Sequence, residues 1–321
     1  MSGQHHSFAA SLLSTEFAGG LRLHPADTGF IQWDSSESIA IAVDSLVENI
    51  HFRNSAAATD VAWKALAINL SDLAAMGAMP KTAAVVVQWP QSRRSWLTSF
   101  GRGFELAAAA FSVEVVAAST IDGPGIVTVE VCGSVPSTRA LTRRGARAGD
   151  VVYVTGTLGD AGLGLRITQG KLKASDADEE FLLARLDRPT PRITAGIGLR
   201  GIASAAIDIS DGLAGDLGHI ISISNVGARI ELEKLPCSAP LQRSLGPPDA
   251  WYLAASAGDD YEICFVVPPG QERMLESVCH QFDVEVTQIG VIEGRPGLRF
   301  VNGDGSVVDA GGGFDHFAGN G

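Results

Sequence analysis

Residues 60–77 read "DVAWKALAINLSDLAAMG", and the fold turns on that stretch. Ala, Leu, Ile, Val and Trp dominate it, which predicts a buried helix over 60–76 with Asp60 as N-cap and Gly77 as the stop. Asn69, Ser71 and Asp72 interrupt the apolar set. Burying an unpaired carboxylate is costly enough that it either takes up a proton or finds a cation. A capping role does not belong inside a helix, so Asp72 points to a bound cation.

Working outward, "ESIAIAVDSLVENIHF" (37–52) carries a short β-rich run that ends at Asp44. "TAAVVVQWP" (82–90), "FSVEVVAAS" (111–119) and "GIVTVEVCGSVP" (125–136) read as buried strands, with a second helix over 92–110. The polar, basic "STRALTRRGARAGD" (137–150) reads as the join between domains. This divides the chain into 1–137, a linker at 138–150, and 151–321. Beyond the join, "VVYVTGTLGDAGLGLRI" (151–167) predicts strand, Gly-rich turn and helix, followed by a charged helical stretch at 174–200. "AAIDISDGLAGDLGHIISIS" (205–224) predicts a strand end running into a helix. The last third alternates strands with a helix over 271–281. That mixed order predicts two α+β domains rather than a Rossmann sheet, and no internal repeat is present.

Composition narrows the function. The net charge is −12, with 24 basic against 36 acidic residues, and phosphate-backbone binding needs a basic face, so nucleic acid is disfavoured as a partner. No charge-free run of about 18 apolar residues occurs, which argues against a transmembrane span, and the N-terminus lacks the pattern of a secretory signal. The four cysteines, Cys132, Cys237, Cys264 and Cys279, are far apart without a C-x-x-C. That fits free thiols in a reducing compartment, hence a cytoplasmic location, better than zinc.

Five acids stand in related contexts: Asp27 in a turn, Asp44 at a strand end, Asp72 in the helix, and Asp208 and Asp211 around Ser210 in "DISDG". Carboxylates at strand ends and helix starts, drawn from both halves, suit hard cations such as Mg2+ that bind a few carboxylates plus substrate phosphates. Each of these also reads as an ordinary turn or cap residue, Asp72 least well because a cap does not belong inside a helix. Neither the Walker A pattern nor the protein-kinase signatures appear. The Gly-rich "TGTLGDAGLG" (155–164) reads as tight strand–helix packing ahead of phosphate contact.

Six segments, in order, resemble the thiamine-monophosphate kinase family of the aminoimidazole ribonucleotide synthetase superfamily. They are "VDSLVENIHF", "KALAINLSDLAAMGAMP", "RALTRRGARAGDVVYVTGTLGDAGLGL", "AIDISDGLAGDLGHI", "AGDDYEICF" and "GGFDHF". The resemblance implies an N-terminal domain that pairs with its twin in a dimer-spanning barrel, and a C-terminal α/β domain. It implies that ATP and several Mg2+ ions lie between the domains, and that the γ-phosphoryl passes to thiamine monophosphate. That acceptor is already an anion, so no general base is assigned. Carried over by position, Asp27, Asp44, Asp72, Asp208 and Asp211 match metal-binding aspartates. Arg143, Ser210 and Ser119 fall on the nucleotide side, and His51, Asp259 and Phe314 on the substrate side. Without the resemblance His51 reads as a surface histidine, and Arg143 reads equally well as a solvated linker arginine.

The chain departs from the family pattern near the chemistry. Gly-Asp-Asp becomes Pro25-Ala26-Asp27, the hydroxyls before Asp44 become Ala42 and Val43, and Gly-Gly-Asp becomes Ala117-Ala118-Ser119. A Cβ obstructs close backbone approach to a phosphate, and a Ser hydroxyl is a poorer ligand than a carboxylate. Three readings follow: a thiamine-monophosphate kinase working with fewer ions, a relative that uses ATP to phosphorylate a carbonyl or amide oxygen, or a ligand-binding homologue that has lost transfer.

Overall fold

The computed structural model describes residues 30–32, 36–282 and 284–309. Asp27 and Phe314 therefore lie outside the described residues, as does the whole of the closing "GGFDHF" segment.

The first sheet has the order β1-β2-β5-β3-β4. Its strands are β1 (Phe30–Gln32), β2 (Glu37–Val47), β3 (Met79–Gln88), β4 (Glu114–Ile121) and β5 (Ile126–Pro136). All pairings are antiparallel except β3 with β4, because a helix makes the crossover between those two strands. That helix, α2 (Ser95–Ala110), and α1 (Ala58–Ala75) cover one face of the sheet. In β2 the side chains alternate, with Ala40, Ala42 and Leu46 buried on the helix side and Val43 63% exposed on the other. The outer face is open in a single chain: Val43 and Val86 are both exposed.

α1 is buried almost all round, since the sheet and α2 meet one side of it and the second domain the other. That is why the apolar residues of 60–77 show little segregation onto one face. Its N-cap is Ala57 without a side-chain cap, so Asp60 stands in the first turn instead of capping it and ion-pairs with Arg188 at 2.6 Å. Gly77, at φ +66°, follows the helix end as expected.

The second domain is a seven-stranded sheet of order β12-β11-β8-β10-β6-β9-β7. Its strands are β6 (Val151–Thr155), β7 (Ala205–Asp208), β8 (Gly227–Glu231), β9 (Ile263–Val267), β10 (Val286–Glu293), β11 (Gly297–Val301) and β12 (Val307–Val308). The helices are α3 (Asp160–Thr168), α4 (Asp176–Asp187), α5 (Ile193–Gly198), α6 (Leu213–Ser224), α7 (Ala239–Leu245), α8 (Asp249–Ser256) and α9 (Glu272–Cys279). β9 is buried at every position, as expected of a strand covered on both faces. The domains meet along α1: a Cβ on Gly196 of α5 would lie 1.9 Å from the Ala74 carbonyl oxygen, so only glycine permits this approach.

Candidate active site

A cleft of about 810 Å3 opens between the domains, and Asp44, His51, Lys64, Ser210, Asp211 and Asp259 line it. Asp44 does not end β2, as its sequence context suggests; it lies within the strand, paired with Val129. Side chains alternate along a strand, so Asp44 shares the helix-side face with Ala42 and Leu46. It is exposed there because it reaches the cleft.

Asp72 occupies the last turn of α1, which carries no basic residue. A carboxylate at the negative end of a helix is disfavoured, and here burial and the charges of Asp208 and Asp44 push its pKa well up. Asp208 ends β7 and accepts a hydrogen bond from Ser71 Oγ at 3.0 Å. Burial lifts its carboxyl to about 6, although Arg143 and the Ser71 hydroxyl pull the other way. Asp72, Asp208 and Arg143 share the wall of a small cavity of about 10 Å3, room for about one water. Acids from both domains therefore converge, and the Coulomb coupling of Asp72 with Asp44, Asp208 and Asp216 places them in one electrostatic group.

Asp216 escaped the sequence reading. It is 3% exposed in the first turns of α6, and its Oδ2 accepts from the backbone N–H groups of Ser210 and Asp211 at 3.0 Å each. This holds the "DISDG" loop against the helix start. Burial, followed by the Asp208 and Asp211 charges, raises its carboxyl well above the usual range. The signal was present as a third acid after "DISDG", in "DISDGLAGD". Ligand atoms of Asp211, Asp216 and His219 lie within 4.8 Å of one another. The donor set is oxygen-rich and short of internal cations, which suits a hard divalent ion.

The opposite wall is built from strained backbone. Asp259 and Tyr261 hold φ values of +67° and +51°, rare for residues other than glycine. Hydrogen bonds from Asp259 N to Ser210 O and from Tyr261 N to Ile209 O, each 2.8 Å, lock this segment beside the Asp208–Asp211 loop. Lys64 Nζ, from buried α1, meets Asp259 Oδ1 at 3.1 Å, and Tyr261 Oη donates to the same oxygen at 2.9 Å. Lys64 was also missed; its place among alanines and leucines looks like a helix-face lysine until the second domain is docked. His51 Nδ1 accepts from Val47 N at 3.0 Å, which leaves the proton of the neutral ring on Nε2.

The Gly-rich turn behaves as a packing device. Gly156 takes φ +58° with its missing Cβ position 2.3 Å from Glu262 Oε1. Buried Glu262 is gripped by Arg185 at 2.8 Å, by Arg192 through two nitrogens at 2.7 and 2.6 Å, and by Thr155 at 2.7 Å. Ser119 stands apart within one chain. On β4 it pairs with Val86 of β3, on the outer face opposite to Asp44 and about three strand spacings away, roughly 14 Å. Asp122, near it in sequence, accepts from Gln91 N at 2.9 Å and caps that turn.

Comparison with known proteins finds relatives that span both domains. The model of "AIR synthase related protein, N-terminal domain" matches residues 25–135, and that of the C-terminal domain matches 147–302. The thiamine-monophosphate kinase of Escherichia coli (strain K12) is 41% identical over 294 residues, covering 91% of this chain and 90% of that relative. The crystal structure of thiamine-monophosphate kinase from Stenotrophomonas maltophilia K279a superposes with a TM-score of 0.80 at 38% identity, covering 94% of this chain and 95% of that one. A structure described as AaThiL complexed with AMPPCP and TMP gives a TM-score of 0.83 at 29% identity, covering 97% and 95%.

Proposed function

Because this chain belongs to the thiamine-monophosphate kinase family, we propose that it transfers the γ-phosphoryl group of ATP to thiamine monophosphate, giving thiamine diphosphate and ADP. The observation that carries the reading is that Asp44 of one domain and Asp211 of the other line the interdomain cleft, while Asp72 and Asp208, likewise one from each domain, share a cavity wall.

The acceptor phosphate is already anionic, so no residue has to remove a proton. The barrier lies in bringing two polyphosphate groups together against their repulsion. Asp44, Asp72, Asp208 and Asp211 would hold Mg2+, which would supply positive charge to the transferred group and the leaving phosphates. Ser210 and Arg143 face the nucleotide. His51 and Asp259 face the acceptor, with Asp259 held in place by Lys64 and Tyr261. Asp27, Phe314 and Ser119 keep their family-derived assignments to metal, substrate and nucleotide.

The working form is a homodimer in which a second copy covers the outer face of the first sheet; the exposed Val43 and Val86 support this. The location is cytoplasmic, supported by four unpaired cysteines. No helix among the described residues is long and apolar enough to cross a membrane.

The test is direct. Purified protein with ATP, Mg2+ and thiamine monophosphate yields thiamine diphosphate by chromatography, and Asp72→Asn abolishes the product. Failure of the wild type to form any product overturns the reading.

A further inference from the structure

We propose that Arg143 is the protein's own cation on the carboxylate cluster, competing there with a divalent metal until nucleotide phosphates engage its guanidinium. This rests on the reading of Arg143 as a nucleotide contact and adds to it a coupling between metal and nucleotide.

The geometry starts in the backbone. The segment joining the domains is pinned beside β7: Thr142 O accepts from Ala206 N at 2.9 Å, and Gly145 N donates to Ser224 Oγ at 3.3 Å. Leu141, two residues before Arg143, is buried. Arg143 is thereby fixed on the wall of the small cavity that Asp72 and Asp208 also line. Its charge acts on Asp72, Asp208 and Asp216 together, so it serves the cluster and not a single partner. Arg143, which reads in sequence equally well as a nucleotide contact or a solvated linker residue, thus lines one cavity with two of the acids.

One guanidinium cannot neutralise four carboxylates, but it can lower their attraction for a second cation. A unit charge about 6 Å from a divalent ion disfavours it by roughly tenfold even with water-like screening, and by more in a partly buried site. A polyphosphate that draws the guanidinium to itself removes that repulsion and brings its own oxygen ligands. Metal and nucleotide then each strengthen the binding of the other, as linkage requires. The protein alone holds metal weakly, and the protein with nucleotide holds it well.

The test measures Mg2+ binding by titration calorimetry on the full chain without nucleotide, at about pH 8.5 so that protons do not compete for the same oxygens. Arg143→Met is expected to bind Mg2+ at least about tenfold more tightly than the wild type, while Arg143→Lys stays within about threefold. The exposed neighbour Arg144 serves as control: Arg144→Met changes the affinity less than about twofold. If Arg143→Met does not fold, Arg143→Gln carries the same expectation. Mg2+ binding that is unchanged or weaker in the Arg143 variant, or equally tightened in Arg144→Met, overturns the proposal. A second arm measures a non-hydrolysable ATP analogue with Mg2+ present. Analogue affinity unaffected by Arg143→Met overturns the nucleotide contact and the exchange with it, whatever the Mg2+-only arm shows.

Discussion

Ser71 Oγ, on the first helix of one domain, donates a 3.0 Å hydrogen bond to Asp208 Oδ2, at a strand end of the other. Both residues are buried. A buried carboxylate of the proposed metal site is thus tuned by a hydroxyl that reaches it only when the two domains are docked. The same relationship explains why Ser71 interrupts an otherwise apolar helix.

Ser71→Ala removes the bond and leaves Asp208 facing an apolar methyl. Loss of a hydrogen bond to a buried charged group costs about 1–3 kcal/mol. Urea denaturation at pH 7.5 should show that loss, with a lower turnover from misplacement of Asp208. An unchanged denaturation midpoint would falsify the role given to this bond.

The metal-free protein should lose stability as pH rises from about 4 to about 6. Asp208 titrates near 6 when folded against 3.8 as its ordinary value. The folded state therefore binds more protons than the unfolded one in that window, so stability falls with rising pH there and this contribution levels off above it. The shift corresponds to roughly 3 kcal/mol for the group alone. Saturating Mg2+ should reverse the trend, because the ion favours the ionised carboxylates. Melting temperatures across pH 4–8 with and without Mg2+ would show both slopes.

Lys64→Met strands the Asp259 carboxylate beside a buried apolar side chain. Removing one partner of a buried pair costs about 3–5 kcal/mol, and the one-third exposure of Asp259 reduces this to about 1–3 kcal/mol. In Lys64→Met with Asp259→Asn no charge is left unpaired, so the double variant should be more stable than the sum of the single effects implies. Simple additivity in a double-mutant cycle would show that the contact carries no energy.

Gly156→Ala and Gly170→Ala separate crowding from backbone strain. Both glycines have positive φ, +58° and +69°, and a side chain there costs about 1–2 kcal/mol. At Gly156 the new Cβ also meets Glu262 Oε1 at 2.3 Å, whereas nothing lies within 4 Å at Gly170. The Gly156 variant should lose about 3 kcal/mol or more, and it should weaken the grip of Arg185 and Arg192 on Glu262. Equal losses at the two positions in chemical denaturation would contradict the packing role of the Gly-rich turn.

Much of the fold was legible because helices and strands declare themselves through local periodicity. The stretch 60–77 gave its helix to within two residues, and its embedded acid pointed toward a cation. Legibility was poorer wherever an identity depended on which side of an element a residue occupies. Asp44 looked like a strand terminus because a carboxylate breaks an apolar run, yet the strand passes through it to Val47. Ser119 belongs to a departure from the family pattern in sequence, and only the sheet register shows that its side chain lies on the outer face of a different strand from Asp44.

By itself the sequence determined the elements, the two-domain division, the family and a set of acids with unusual surroundings, because these depend on neighbours a few residues apart. Only the tertiary structure decided that Asp72 and Asp208, 136 positions apart, share a cavity wall with Arg143. It also decided that Lys64 answers Asp259 and that Asp216 joins the group. The reason is the range of the forces involved. Backbone propensity and side-chain period act within a turn of chain, whereas the electrostatic balance of a buried site is fixed by whatever the docking of two domains brings within a few ångströms.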